Sequence, residues 1–221
     1  MIRDAVLDTL AVLLPVECAG CGAPDRALCT ACRARLEPEV SSRLVAPDLR
    51  VWSGLEYDGV ARAVMLALKT DGRADAGRFL APALAAAVVA AAPVPDGISV
   101  VAVPGTRAGY RRRGYDPVRV LLARAGLGSL RVFAPARPHR AQKLLAVGDR
   151  QTNLRGAFRV RRTVAGRRIL IVDDVVTSGA TLREVARVLR EGGAQVVGAA
   201  VAASTPKLYG HPQLPIRDFP G

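Results

Sequence analysis

Ile169-Leu170-Ile171-Val172-Asp173-Asp174-Val175-Val176-Thr177-Ser178-Gly179-Ala180-Thr181-Leu182 decides how this 221-residue chain folds. The apolar run Arg168 to Val172 is continuous rather than alternating, the mark of a strand buried on both faces of a parallel sheet. It ends in two carboxylates. A loop of small hydroxyl residues and one glycine follows, and Ala180 to Arg190 then carries Leu182, Val185, Ala186 and Leu189 at helical spacing. Ligands of open α/β sheets bind at the carboxyl ends of the strands. A loop that opens a helix can wrap a phosphate with backbone N–H groups. Thr177, Ser178 and Thr181 add hydroxyl donors, and Asp173 and Asp174 can accept hydrogen bonds from sugar hydroxyls. The plain alternative is an ordinary strand–turn–helix with an acidic end. A Walker A loop is excluded, because GxxxxGK[ST] is missing.

Taken together, the fourteen residues resemble the phosphoribosyl diphosphate (PRPP) signature of type I phosphoribosyltransferases. The resemblance implies that Asp173 and Asp174 hold the ribose, that Thr177, Ser178, Gly179, Ala180 and Thr181 hold the 5′-phosphate, and that Mg²⁺ accompanies the diphosphate. Several purine-base transferases of this fold place an Asp where Thr177 stands, so nothing here supports hypoxanthine or guanine as acceptor.

Outward from this centre, strands alternate with helices. Val51 to Tyr57 reads as an edge strand, and Ile98 to Val103 and Ala194 to Ala203 as buried strands. Leu130 to Ala134 and Ala157 to Val160 read as short strands. Val60 to Leu68, Ala76 to Ala91 and Val118 to Ala125 read as helices. The order predicts an α/β fold with a mainly parallel sheet flanked by helices. Residues 50–203 form that domain, after an N-terminal unit at 1–45 and a linker around Glu37 to Leu49. Pro135 to Thr152 is basic, without periodicity, and reads as a mobile loop. The Pro-rich stretch 204–221 reads as a poorly ordered tail.

The N-terminal unit is an amphipathic helix, Ile2 to Leu14, followed by all four cysteines of the chain: Cys18-x2-Cys21-x7-Cys29-x2-Cys32. Two CxxC knuckles can set four thiolates tetrahedrally around one Zn²⁺, a closed and therefore structural site. The alternative is a pair of disulfides or free thiols, and a cytoplasmic protein rarely keeps disulfides. Asp4 and Asp8 break the first apolar stretch, which argues against a signal peptide. Leu80 to Ala92 is too short to span a bilayer. Cytoplasmic location and no membrane span are the expectation.

Charge is concentrated. The chain carries a net +13, yet Arg107 to Arg168 holds sixteen arginines and one lysine against Asp116 and Asp149 alone, a net +15. The remainder sums to −2. Codon bias toward arginine does not remove acids, so the segment predicts a polyanionic partner, a phosphorylated small molecule or nucleic acid.

A second resemblance covers roughly residues 7 to 203. Leu13-Leu14-Pro15, the cysteines, Tyr57-Asp58-Gly59 with Leu68-Lys69, Val103-Pro104, Arg111-x-Arg113-Gly114-Tyr115, Gln142-x-x-Leu145, Arg150-x-x-Asn153, Gly156-Ala157-Phe158 and the PRPP segment follow the order of the ComF family. That family joins an N-terminal zinc knuckle to a phosphoribosyltransferase domain and is associated with natural competence and incoming single-stranded DNA. Thr106 stands where the family often has a His, and Asp116-Pro117 replace an amide pair, both on the acceptor side.

Two functions remain open. As an enzyme, the chain transfers a phosphoribosyl group to an unnamed acceptor. Gly105 and Thr106, with Arg111, Arg113, Arg137 and Arg140, then steady the departing diphosphate. As a binding module, it senses PRPP or nucleotides, or tracks single-stranded DNA with arginines such as Arg111, Arg112, Arg113, Arg140 and Arg155, alongside proteins of the competence machinery. Few aromatics are available there for base stacking: Tyr110, Tyr115, Phe133 and Phe158.

Overall fold

The structure, a computed structural model, describes residues 16–24, 26–94, 97–133 and 158–206. Five strands form one sheet: β1 (Ser41–Ala46), β2 (Leu49–Glu56), β3 (Ile98–Ala102), β4 (Arg168–Val176) and β5 (Gln195–Ser204), in the order β1-β2-β5-β4-β3. β1 and β2 are antiparallel, and the other pairs are parallel. The helices are α1 (Thr30–Ala34), α2 (Gly59–Lys69), α3 (Gly77–Ala91), α4 (Arg107–Arg113), α5 (Pro117–Arg124) and α6 (Ala180–Glu191).

The unbroken apolar run of β4 serves both faces. Leu170 and Val172 join the cluster formed with α2, α3 and α5, while Ile169 and Ile171 join the cluster under α6. α3 crosses β2 so closely that a Cβ on Gly54 would stand 2.0 Å from the carbonyl oxygen of Ala83. Only a glycine admits that approach. The apolar helical stretch Ala74–Ala91 has the length to cross a membrane, but half of it is buried inside the protein, and α3 packs on β2 and β5.

Three sequence expectations change. The segment read as a linker contains β1, so Val51–Tyr57 is not an edge strand; β2 is paired on both sides and β1 takes the edge. Its apolar residues sit in a burial pattern too irregular for alternation to reveal. The strand carrying the carboxylates does not stop at Val172. Pairing with β5 continues through Val176 opposite Ser204, so Asp173 and Asp174 lie within the last turn of pleat rather than beyond it. Among the described residues, the short strands expected near 130 and 160 show one antiparallel bridge, Phe133 with Val160, beside the tilted ring pair Phe133–Phe158 at 5.8 Å.

The sequence reading holds no helix at α4. Its seven residues hold three consecutive arginines and bury none, so no apolar stripe announces it. Its caps are nevertheless in the sequence: the Thr106 hydroxyl accepts from the Gly109 N–H at 3.1 Å, and Gly114 closes the helix at φ 78°. Asp116 caps α5 by accepting from Val118 N–H at 3.0 Å, ahead of Pro117 in the first turn.

Candidate functional site

β4 delivers Asp173 and Asp174 to the carboxyl edge of the sheet. Asp174 is buried and accepts from Lys69 Nζ at 2.7 Å, and from the Val175 N–H at 2.7 Å. Asp173 is half-buried and accepts from the Asp174 N–H at 2.9 Å. Enclosure, and then the neighbouring Asp174 carboxylate, push Asp173 well above the usual carboxylate range, against the pull of that N–H and of Lys69.

Thr177 and Ser178 are exposed, and Gly179 enters α6 at φ 74°. Two guanidinium groups occupy the carbonyls of this loop. Arg43 of β1 donates from Nη2 to the Thr177 carbonyl and, at 3.4 Å, to that of Val176. Arg183 of α6 donates from Nη1 to the Ser178 carbonyl at 2.9 Å and the Val45 carbonyl at 3.2 Å. With its carbonyls engaged from behind, the loop presents hydroxyls and the first-turn N–H groups of α6, which no intrahelical carbonyl satisfies. Such a surface receives an anion.

On the β3 side, Pro104 to Arg107, Tyr110, Arg111, Arg113, Tyr115 and Asp116 enclose a cavity of about 310 Å³. Gly105, Thr106, Arg111 and Arg113 thus line one cavity. Arg113 is not free, because its Nη1 donates to the Lys69 carbonyl at 3.2 Å. Arg112 reaches the same carbonyl at 3.4 Å, and the Tyr115 hydroxyl donates to the Leu68 carbonyl at 2.7 Å. These side chains grip the C-terminal end of α2, where cations meet the negative pole of the helix. Part of the basic stretch is thus structural. Arg137, Arg140 and Arg155, together with Gln142, Leu145, Arg150, Asn153 and Ala157, lie outside the described residues.

The sequence reading holds Lys69 only as part of the Leu68-Lys69 motif and gives it no role at the site. One signal was available: the chain has 32 cationic side chains but only three lysines, Lys69, Lys143 and Lys207.

The four cysteines form a second centre. Their sulfurs all lie within 4.8 Å of one another, an arrangement able to hold one metal ion. All four are free thiols, with Cys21 and Cys29 sulfurs 3.7 Å apart. The Cys29 N–H donates to Cys18 Sγ at 3.3 Å and the Cys32 N–H to Cys29 Sγ at 3.4 Å. Burial alone would raise Cys18, but the N–H groups of Cys29, Gly20 and Cys21 and the Cys21 thiol outweigh it and bring it to about 6. Cys32 moves up, by burial and then by its cysteine neighbours. Four thiols this close cannot all ionise unaided, whereas a divalent cation at their centre would permit it, so the donor set fits a closed tetrathiolate site. Arg73 ties the unit to the domain, donating to the carbonyls of Glu17 at 2.6 Å and Ala27 at 3.3 Å.

A phosphoribosyl transferase domain matches residues 131–218, which include Asp173 to Thr181. The chain is 46% identical over 56 residues to the DNA utilization protein YhgH of Escherichia coli (strain K12), covering 25% of each chain. It is 34% identical over 110 residues to the protein of that name from Salmonella typhi, covering 48% of each. Against an adenine phosphoribosyltransferase of Kineococcus radiotolerans the identity is 38% over 112 residues, 48% of this chain and 58% of that one. The matches thus span from a quarter to somewhat over half of these relatives' own length. A solved phosphoribosyltransferase from Corynebacterium diphtheriae aligns over 78% of this chain and 82% of its own, at 21% identity and TM-score 0.35. The domain match and the names of these relatives agree with the resemblance to the ComF proteins, over the part of the chain that they cover.

Proposed function

We propose that the chain binds PRPP with Mg²⁺ at the carboxyl edge of β4 and transfers its phosphoribosyl group to a nitrogen acceptor. The observation that carries this reading is the junction of paired carboxylates, Asp173 and Asp174, with a loop whose carbonyls are tied back by Arg43 and Arg183. Ribose hydroxyls donate to the two carboxylates. Thr177 to Thr181 take the 5′-phosphate. The diphosphate enters the basic cavity beside Gly105, Thr106, Arg111 and Arg113, and the resemblance adds Arg137 and Arg140 as further expected contacts. Reaction then proceeds through an oxocarbenium-like transition state, with catalysis by position and charge. Mg²⁺ neutralises the diphosphate when bound. Zn²⁺ in the four-cysteine site is structural.

Calorimetry with PRPP and Mg²⁺ tests the reading. Replacing Asp173 and Asp174 together by Asn should weaken binding by about 1–3 kcal/mol, the worth of hydrogen bonds to charged acceptors. Equal affinity in wild type and variant would reduce the carboxylates to the end of a strand. Diphosphate release, assayed with candidate bases, amines and single-stranded DNA, would then identify the acceptor.

A second reading, supported by the name DNA utilization protein in the relatives and by the exposed arginines, is single-stranded DNA binding in the cytoplasm, linked to DNA uptake. Arg112 and Arg113 brace α2, so the informative positions are Arg107 and Arg111, both exposed. Anisotropy with labelled oligonucleotides should show log affinity falling by about 0.7 per neutralised phosphate against log salt. Replacing Arg107 and Arg111 by Ala should flatten that slope for every sequence alike. Absence of binding at low salt would assign the charge to PRPP and solvent.

A further inference from the structure

We infer that Lys69 is a diphosphate-contacting residue of the PRPP site, which exchanges its ion pair with Asp174 for the diphosphate when the sugar arrives. The inference rests on the PRPP reading above and adds to it a residue from α2, outside both loops that the reading uses.

Lys69 stands at the boundary between the carboxylates and the basic cavity. Its ammonium is 2.7 Å from Asp174 Oδ1. Its carbonyl is held by Arg113, a side chain that also lines the cavity. Tyr115, which also lines the cavity, donates to the Leu68 carbonyl at 2.7 Å, so the cavity adjoins the end of α2 that carries Lys69. The clamp formed by Arg112, Arg113 and Tyr115 on the last carbonyls of α2 sets the height of Lys69 against β4.

The two partners of the ion pair differ in freedom. The Asp174 side chain is 11% exposed and the Lys69 side chain 32%. Asp174 is also held by the Val175 N–H, so the lysine is the member able to turn. Ribose hydroxyls that donate to Asp174 compete with one of the three ammonium hydrogens. The four-carbon stem then lets the ammonium face the neighbouring cavity, where it joins Arg111 and Arg113 and offsets the repulsion of the diphosphate by Asp116 and the two aspartates. A lysine suits this exchange because its compact ammonium has three rotatable donors, whereas the planar fork of arginine would hold Asp174 in two fixed bonds.

The test uses the full chain with Mg²⁺ and two probes, PRPP and ribose 5-phosphate, each titrated by calorimetry into wild type, Lys69→Met and Lys69→Arg, with melting curves to check folding. Loss of a charge-assisted contact to the diphosphate should weaken PRPP by about tenfold or more in Lys69→Met. Ribose 5-phosphate, which has no diphosphate, should change by less than about twofold, and Lys69→Arg should recover part of the loss. An equal loss for both probes would mean that Lys69 only orients Asp174, and would overturn the inference. Unchanged affinity for both would overturn it as well, with the PRPP reading intact. A wild type that binds neither probe would remove the reading and the inference together.

Discussion

Lys69 and Asp174 stand 105 positions apart and meet at 2.7 Å, which shows how the site is assembled at the level of single residues. Asp173 carries the cost of that assembly. Its proton is held more tightly in the folded chain than in the unfolded one, because enclosure and Asp174 disfavour its charge. Its contribution to stability is therefore present in full below the unfolded carboxylate range and is lost as the pH rises through the raised folded value. Asp173→Asn removes that loss. We expect the variant to melt above wild type at pH 8, because the disfavoured charge is gone. The difference should shrink as the pH falls toward 4. Identical melting temperatures at pH 8 would mean that the carboxylate is not strained. A group that destabilises the fold and lies beside a phosphate loop is the pattern of a residue kept for binding.

Among the elements, β1 does the least expected work. It caps the sheet edge and at the same time braces the loop after β4, through Arg43 to the Thr177 and Val176 carbonyls and through Val45 against Gly179. At Gly179 two constraints coincide: φ is 74°, and an added Cβ would lie 2.6 Å from Val45 Cβ. Gly179→Ala must therefore strain the backbone and push β1 away. A loss of about 1–3 kcal/mol is expected from overpacking and the left-handed conformation. Denaturant unfolding should register it, and binding of ribose 5-phosphate should weaken in parallel as the loop shifts. A variant with wild-type stability would show that β1 does not press on the loop.

Across the whole molecule, the four-cysteine unit and the sheet domain share one interior. Cys18, Leu28, Cys32 and Leu36 belong to the same buried cluster as Leu55, Val64, Met65 and Leu84. Metal affinity of such a unit is folding free energy. Elemental analysis should give about one zinc per chain. Chelation should lower the temperature of a single unfolding transition, because no boundary of loose contacts separates the two parts. Two separate transitions, only one of them sensitive to chelator, would show that the unit folds alone. Two intact disulfides and no metal would exclude the site.

The amino-acid sequence by itself determined the α/β class, the four-cysteine cluster and the carboxylate–loop segment, because each depends on residues close together in the chain. Apolar runs, CxxC spacing and cap residues act over one or two turns, and their physics is local. It did not reveal α4, whose arginines carry no hydrophobic period, or the place of β1, whose pairing depends on a partner strand. Only the tertiary structure decided that Arg112, Arg113 and Tyr115 hold the end of α2, that Arg43 and Arg183 tie back the phosphate loop, and that Lys69 faces Asp174. In each case a charged or polar group satisfies a partner brought near by packing the helices onto both faces of the sheet. Nothing in the chain between the two partners encodes that distance.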